Sequence, residues 1–170
     1  MNDVLSRPTA KLGPGQGLYR NDLFQIAYVT NDIERALQIF ADRYGVKEWR
    51  RLQGDMPAGG RIRVEFGWAG GVLFEVTQAD GPGSEFYREV LPKDEFAIRF
   101  HHLGYFIPTE AAWQALLKEI DAGGVKVLNK TNVPGFVQAR IVQAPDLGHY
   151  IEYIFPEAGG IAFFLGAPSN

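Results

Sequence analysis

From Leu23 to Thr30 the chain alternates, with Phe24, Ile26 and Tyr28 on one side of an extended strand and Gln25, Ala27 and Val29 on the other. Asn31 then offers an N-cap, with Glu34 three residues on as the partner of a capping box. Ile33, Ala36, Leu37, Phe40 and Tyr44 recur at helical spacing until Gly45 ends the run, which predicts a helix over Asn31–Tyr44. Three strand-like runs follow, Trp49–Leu52, Arg61–Trp68 and Val72–Thr77, separated by turns at Gly59-Gly60 and Gly70-Gly71.

The same order then returns. Phe100–Ile107 reads as a strand, and Pro108-Thr109 opens a helix over Thr109–Ala122 through Trp113, Leu116, Leu117 and Ile120. Val125–Leu128, Phe136–Val142 and His149–Phe155 supply three more strands. The chain thus reads as two β-α-β-β-β modules offset by about 77 residues. Residue identity barely marks this repeat; element order and the placement of unusual polar residues do. The expected division is an irregular arm at 1–22, a first module at 23–78, a connecting segment at 79–99, a second module at 100–156 and a tail at 157–170. The tail is apolar around Ile161–Leu165 and is expected to cover an edge or a second copy of the chain.

Composition narrows the function classes. The 170 residues are 46% hydrophobic and 22% charged, enough for one compact unit or two small, closely packed modules. A formal net charge of -3 gives no electrostatic footprint for nucleic acid or an anionic membrane. The absence of cysteine removes disulfides, thiolate metal sites and cysteine nucleophiles, and the expected compartment is the cytoplasm. The opening residues lack the pattern of a signal peptide, and the longest uniformly apolar run, Ile161–Leu165, is far short of a membrane span. The Gly-rich stretch Lys11–Gly17 lacks the pattern of a phosphate loop.

Four polar residues interrupt otherwise apolar strands: Gln25 in LFQIA, Glu75 in VLFEV, His102 in HHLGYF and Glu152 in HYIEYIF. Under the offset, Gln25 falls on His102 and Glu75 on Glu152. An unpaired buried carboxylate is costly, so each Glu must meet water, a cation or a hydrogen-bond donor. One imidazole, two carboxylates and one amide oxygen suit a divalent ion, among Zn, Ni, Co, Mn and Mg. The plainer alternatives are salt bridges from the glutamates to Arg63 or Arg140, a hydrogen-bonded core histidine, and an amide bonded to nearby backbone or substrate. By alternation His102 shares a face with Gly104 and Phe106, while His101 points with Leu103 and Tyr105 unless a bulge intervenes. His149 falls on the opposite face from Glu152. Phe86 and Tyr87 of the connecting segment are placed to cover the site or to pack on a sheet edge.

In the stretches FQIAYVTNDIERALQIF, FHHLGYFI and PDLGHYIEYIF, over about residues 23–156, the chain resembles the vicinal oxygen chelate superfamily. That superfamily includes glyoxalase I, methylmalonyl-CoA epimerase, extradiol dioxygenases and bleomycin-resistance proteins. The resemblance implies an α+β fold in which two βαβββ modules with mixed sheets pair into one curved open barrel, with both longer helices outside. It implies that Gln25, Glu75, His102 and Glu152 hold a divalent metal ion. This set is similar to that of eukaryotic-type glyoxalase I, whereas the connecting segment and doubled histidine look more like the epimerase branch. A two-histidine, one-carboxylate iron site is disfavoured, since no histidine neighbours Glu75.

The implied activity is that of a metal-dependent lyase or isomerase/epimerase, removing a proton beside a carbonyl through an enediolate or enolate. Glu152 is the expected base and Glu75 the group that returns the proton. The competing reading is a metal-free small-molecule binding protein of the bleomycin-resistance type. The expected partners are a small-molecule substrate and a second copy of the chain as a homodimer, with no nucleic acid or membrane.

Overall fold

The structure, a computed structural model, describes residues 21–170, so the expected arm and Lys11–Gly17 lie outside the described residues up to residue 20. The elements are β1 (Asp22–Thr30), α1 (Ile33–Tyr44), β2 (Arg50–Asp55), β3 (Arg61–Ala69), β4 (Val72–Asp80), α2 (Glu85–Arg88), β5 (Ile98–Phe106), α3 (Glu110–Ala122), β6 (Val127–Val133), β7 (Val137–Ala144), β8 (His149–Pro156) and α4 (Ala158–Leu165). All eight strands belong to one mixed sheet in the order β2-β3-β4-β1-β5-β8-β7-β6, curled into an open half-barrel. The α+β fold expected from the sequence is the fold observed.

The order is symmetric about the β1–β5 seam, where the strands run antiparallel, and each seam strand pairs in parallel with the last strand of its own half. Ala27 lies beside Glu75, and the residues 77 positions on, Gly104 and Glu152, lie beside each other in the same register. Ile26 faces Leu103, its own counterpart, so a pseudo-twofold axis passes through that pair. The seam carries two irregularities. Phe24 is left over between Leu23 and Gln25, and His101 is left over opposite Ala27 and Tyr28. An extra residue turns two successive side chains toward the same side of a strand. Both bulges precede a donor position by one residue.

Each longer helix packs on the outer face of its own half. In α1, Ile33, Ala36 and Phe40 cover Val76, Tyr28 and Phe74, with the Phe40 ring 5.6 Å from those of Tyr28 and Trp49. In α3, Ala112, Trp113, Leu116 and Ile120 cover Tyr105, Val142, Ile151 and Tyr153, and Trp113 Nε1 donates to Gln138 Oε1 at 3.0 Å. The N-cap of α1 is Asp32, not Asn31: the Asp32 carboxylate accepts from Arg35 N at 3.1 Å. Asn31 is occupied elsewhere, donating to Glu95 O at 2.7 Å and accepting from Ala97 N at 3.1 Å, which ties the connecting segment to the end of β1.

The tail forms α4, which fills one end of the inner face. Phe164 meets Phe24 and Phe66, and Phe163 meets Phe66 and Phe136, so rings from both halves converge on it. Gly160 makes this docking possible, because a Cβ there would collide with the Phe136 carbonyl oxygen. Beyond the helix, Trp68 N donates to Pro168 O at 2.8 Å, and the Asn170 side chain accepts from Lys47 N and Glu48 N. The tail leaves the second half and ends on the first. Among the described residues no helix is long and apolar enough to cross a membrane.

Candidate metal centre

The four polar residues that interrupt the apolar strands meet on the inner face. Gln25, Glu75 and His102 are 1%, 8% and 1% exposed, and the Glu152 side chain is 15% exposed, the most accessible of the set. Each comes from a different strand of the central four, β1, β4, β5 and β8, and the parallel registers place them level. Gly104, directly across from Gln25, leaves room for the amide: a Cβ there would lie 2.7 Å from the Gln25 Cβ.

Nε2 of His102 lies 3.1 Å from Glu152 Oε2 and 4.0 Å from Glu75 Oε2. One donor atom from each of these three residues falls within 4.8 Å of the others. Ligands about 2.1 Å from a common ion lie about 3.0 to 4.2 Å apart, so the spacing fits one cation. Gln25 closes the set, its Nε2 2.6 Å from Glu75 Oε2 and 3.4 Å from His102 Nε2. Its buried Oε1 has no hydrogen-bond partner. Turning the amide would bring that oxygen against the Glu75 carboxylate, which is favourable with a cation or a proton between them.

Two acidic groups share this buried space. Desolvation raises the tendency of Glu75 to hold a proton, the facing His102 lowers it, and Glu152 raises it again, with a net upward shift. Burial would lower His102, but the hydrogen bond and charge of Glu152 and the charge of Glu75 outweigh it and raise the imidazole. Thr77 Oγ1 donates to Glu75 Oε1 at 2.7 Å and fixes the carboxylate. Among the described residues, His102 is the basic side chain that faces both glutamates, and no lysine or arginine pairs with either. Arg63 lies on the outer face with Glu65 and Glu34, and Arg140 donates to Thr131 O and Ala139 O beside Trp113. Neither arginine supplies the salt bridge that the plainer alternative requires.

His101 departs from the alternation reading. The bulge turns it to the inner side rather than outward with Leu103 and Tyr105, and its Nδ1 lies 2.9 Å from Nδ1 of His102. Phe86, Tyr87 and Tyr150 surround its ring at 4.6, 5.5 and 4.9 Å between centroids. Burial and the neighbouring His102 push His101 down to about 3, so it stays neutral. Tyr87 lies near both carboxylates, and burial together with their charges pushes its phenol up. Asn129 donates to the Tyr87 hydroxyl at 3.5 Å. The short helix α2 therefore covers the site at the end opposite α4. Sequence reasoning passed over Thr77, Asn129, Tyr150 and the inward turn of His101; the doubled histidine was the available signal. His149 sits against Phe100, away from the cluster.

A family model described as Glyoxalase/Bleomycin resistance protein/Dioxygenase superfamily matches residues 24–142. Similar solved structures include a methylmalonyl-CoA epimerase from Mycobacterium tuberculosis, with 14% identity and a TM-score of 0.58 over 82% of this chain and 91% of that one. Another is a variant of Streptomyces coelicolor methylmalonyl-CoA epimerase in complex with 2-nitronate-propionyl-CoA, with 16% identity and a TM-score of 0.55 over 81% and 98%. A hypothetical protein from Bacillus halodurans matches at 18% identity, with a TM-score of 0.53 over 79% and 94%. Likeness at these identities establishes the fold. No protein of curated function matches the chain.

Proposed function

Because the chain belongs to the glyoxalase/bleomycin resistance protein/dioxygenase superfamily, we propose that it is a metal-dependent isomerase or lyase, and specifically an epimerase-like enzyme removing a proton beside a carbonyl. The observation that carries this reading is the meeting of Gln25, Glu75, His102 and Glu152 around one point, with two carboxylates and no lysine or arginine partner among the described residues. A divalent ion held by these four residues would supply positive charge beside the carbonyl oxygen on which negative charge develops. The orphaned Oε1 of Gln25 supports that fit.

The chain's own groups then divide the work. Glu152, the more accessible carboxylate, takes the proton from the carbon beside the carbonyl. Glu75, held by Thr77 two residues on in the same strand, returns one to the opposite side. Removing and returning a proton on opposite sides inverts the carbon; returning it to the adjacent carbon gives an isomerase or lyase outcome. Acyl thioesters are the substrate class favoured by the likeness to epimerases bound to such compounds. A metal-free binding protein would have no use for two carboxylates buried against each other, which disfavours the competing reading.

The test is metal analysis of purified wild type and Glu152→Ala, with proton exchange followed by NMR in deuterated water on methylmalonyl-CoA and on a hemithioacetal. About one ion per chain in wild type, lost in the variant, with deuterium entering beside the carbonyl, is the expected result. Absence of metal from both proteins overturns it in favour of the binding protein.

A further inference from the structure

The contact between the two adjacent histidines restricts where their protons lie. Two ring nitrogens 2.9 Å apart form a hydrogen bond only when one carries a proton and the other does not. At the other edge of the His101 ring, Nε2 lies 3.3 Å from the backbone oxygen of Phe86. A carbonyl oxygen only accepts, so that nitrogen carries the proton. Of the two rings, His102 faces both carboxylates while His101 faces only aromatic rings and that carbonyl, so any further proton belongs to His102, and the bare Nδ1 of His101 accepts from Nδ1–H of His102. The remaining nitrogen of His102, Nε2, faces the carboxylates of Glu152 and Glu75 and without a cation carries a proton for them; a divalent ion taking that place displaces this proton while Nδ1–H stays directed at His101.

We propose that His101 is a positioning residue that fixes His102 in the Nδ1–H tautomer, presenting the Nε2 lone pair to a divalent cation, with the Phe86 carbonyl of α2 anchoring the relay. The proposal rests on the reading of the four residues as a cation site. Its structural basis is independent of that reading: the bulge that leaves His101 over, and the rings of Phe86, Tyr87 and Tyr150 that hold its plane. A ligand imidazole held through its other nitrogen loses less orientational freedom on binding, and removing such a partner typically weakens metal binding about 10- to 100-fold. The arrangement also joins the connecting segment to the cation site, because a displacement of α2 would withdraw the acceptor that fixes the His101 proton.

Two measurements test this. In metal-free wild type, nitrogen–proton correlation NMR of the imidazoles should show His101 protonated at Nε2 and bare at Nδ1; a proton on its Nδ1 overturns the proposal whatever the site binds. Cobalt(II) titrations should then separate His101→Asn, which keeps an acceptor near the Nδ1 position, from His101→Leu, which does not. Asparagine should hold affinity within about threefold of wild type, while leucine should weaken it about 10- to 100-fold. Thermal melts should not follow that order, since leucine suits the aromatic enclosure at least as well as asparagine. Equal cobalt affinity for wild type and His101→Leu overturns the proposal. Failure of wild type to bind cobalt counts against the cation site instead, and the NMR result then decides the relay. Should His101→Leu not fold, NMR on wild type decides alone.

Discussion

Phe24 and His101 occupy equivalent bulged positions, one residue before Gln25 and His102, yet the two halves fill them with opposite chemistry. Phe24 turns inward to meet α4, with its ring 5.9 Å from that of Phe164, and offers its neighbouring donor no polar contact. His101 turns inward beneath α2 and hydrogen-bonds to its neighbour. The amide of Gln25 is consequently left with an unpartnered oxygen and can turn, whereas the imidazole of His102 is held at its far nitrogen. A duplicated scaffold sets where donors stand, and the residue at the bulge sets how firmly each is aimed.

The largest expected effect tests whether the halves' carboxylates are interchangeable. Glu152→Gln should reduce turnover on the order of 1,000-fold with metal retained, and more than Glu75→Gln, as measured by kcat alongside metal content. Equal losses would make the carboxylates equivalent; near-normal turnover in Glu152→Gln would remove it as the base. Next come the donors. His102→Ala should weaken cobalt binding on the order of 100-fold or more, and Gln25→Ala about 10-fold, by titration. The reverse order would break the contrast drawn above.

Protons sharpen the same comparison. His102 holds a proton more tightly than usual, so metal binding at Nε2 must displace it, and affinity should fall as pH drops through that raised value and be full above it. His101 has the opposite sign. Its value near 3 lies below that of the unfolded chain, so its share of stability is intact above about pH 6.5 and is lost as pH falls toward 3. That loss is on the order of 3 kcal/mol by about pH 4, and denaturant melts of metal-free His101→Asn against wild type should show it diminished. The smallest effect is expected where the halves match. Asp32→Ala and Thr109→Ala each remove the cap of an outer helix and should each cost about 1 kcal/mol, with cobalt affinity unchanged.

Strands and the two longer helices were legible because apolar periodicity decides them, and the four inner polar residues because burying such groups in apolar strands requires a reason. The inward turn of His101 was hidden because alternation assumes one residue per ladder step, and a bulge is set by pairing across the seam rather than by the strand itself. Asp32 displaced Asn31 as the helix cap because the connecting segment, 64 and 66 residues away, takes the Asn31 side chain. Helix α4 begins with Ala158-Gly159-Gly160 and is apolar all round, so no period announces it; rings from both halves hold it. Only four residues long, α2 rests on the contacts of Phe86 and Tyr87 rather than on local preference.

A hollow with true twofold symmetry would offer a flat molecule identical surroundings above and below. Joining two like halves in one chain forbids that, because the link between them and the stretch that follows are different peptides. Here the first lays a tyrosine against the histidine of one mouth, and the second packs phenylalanine into the other. The two faces of a planar guest therefore meet unlike walls, and left and right become distinguishable at a point where the donors alone are nearly mirror-equal.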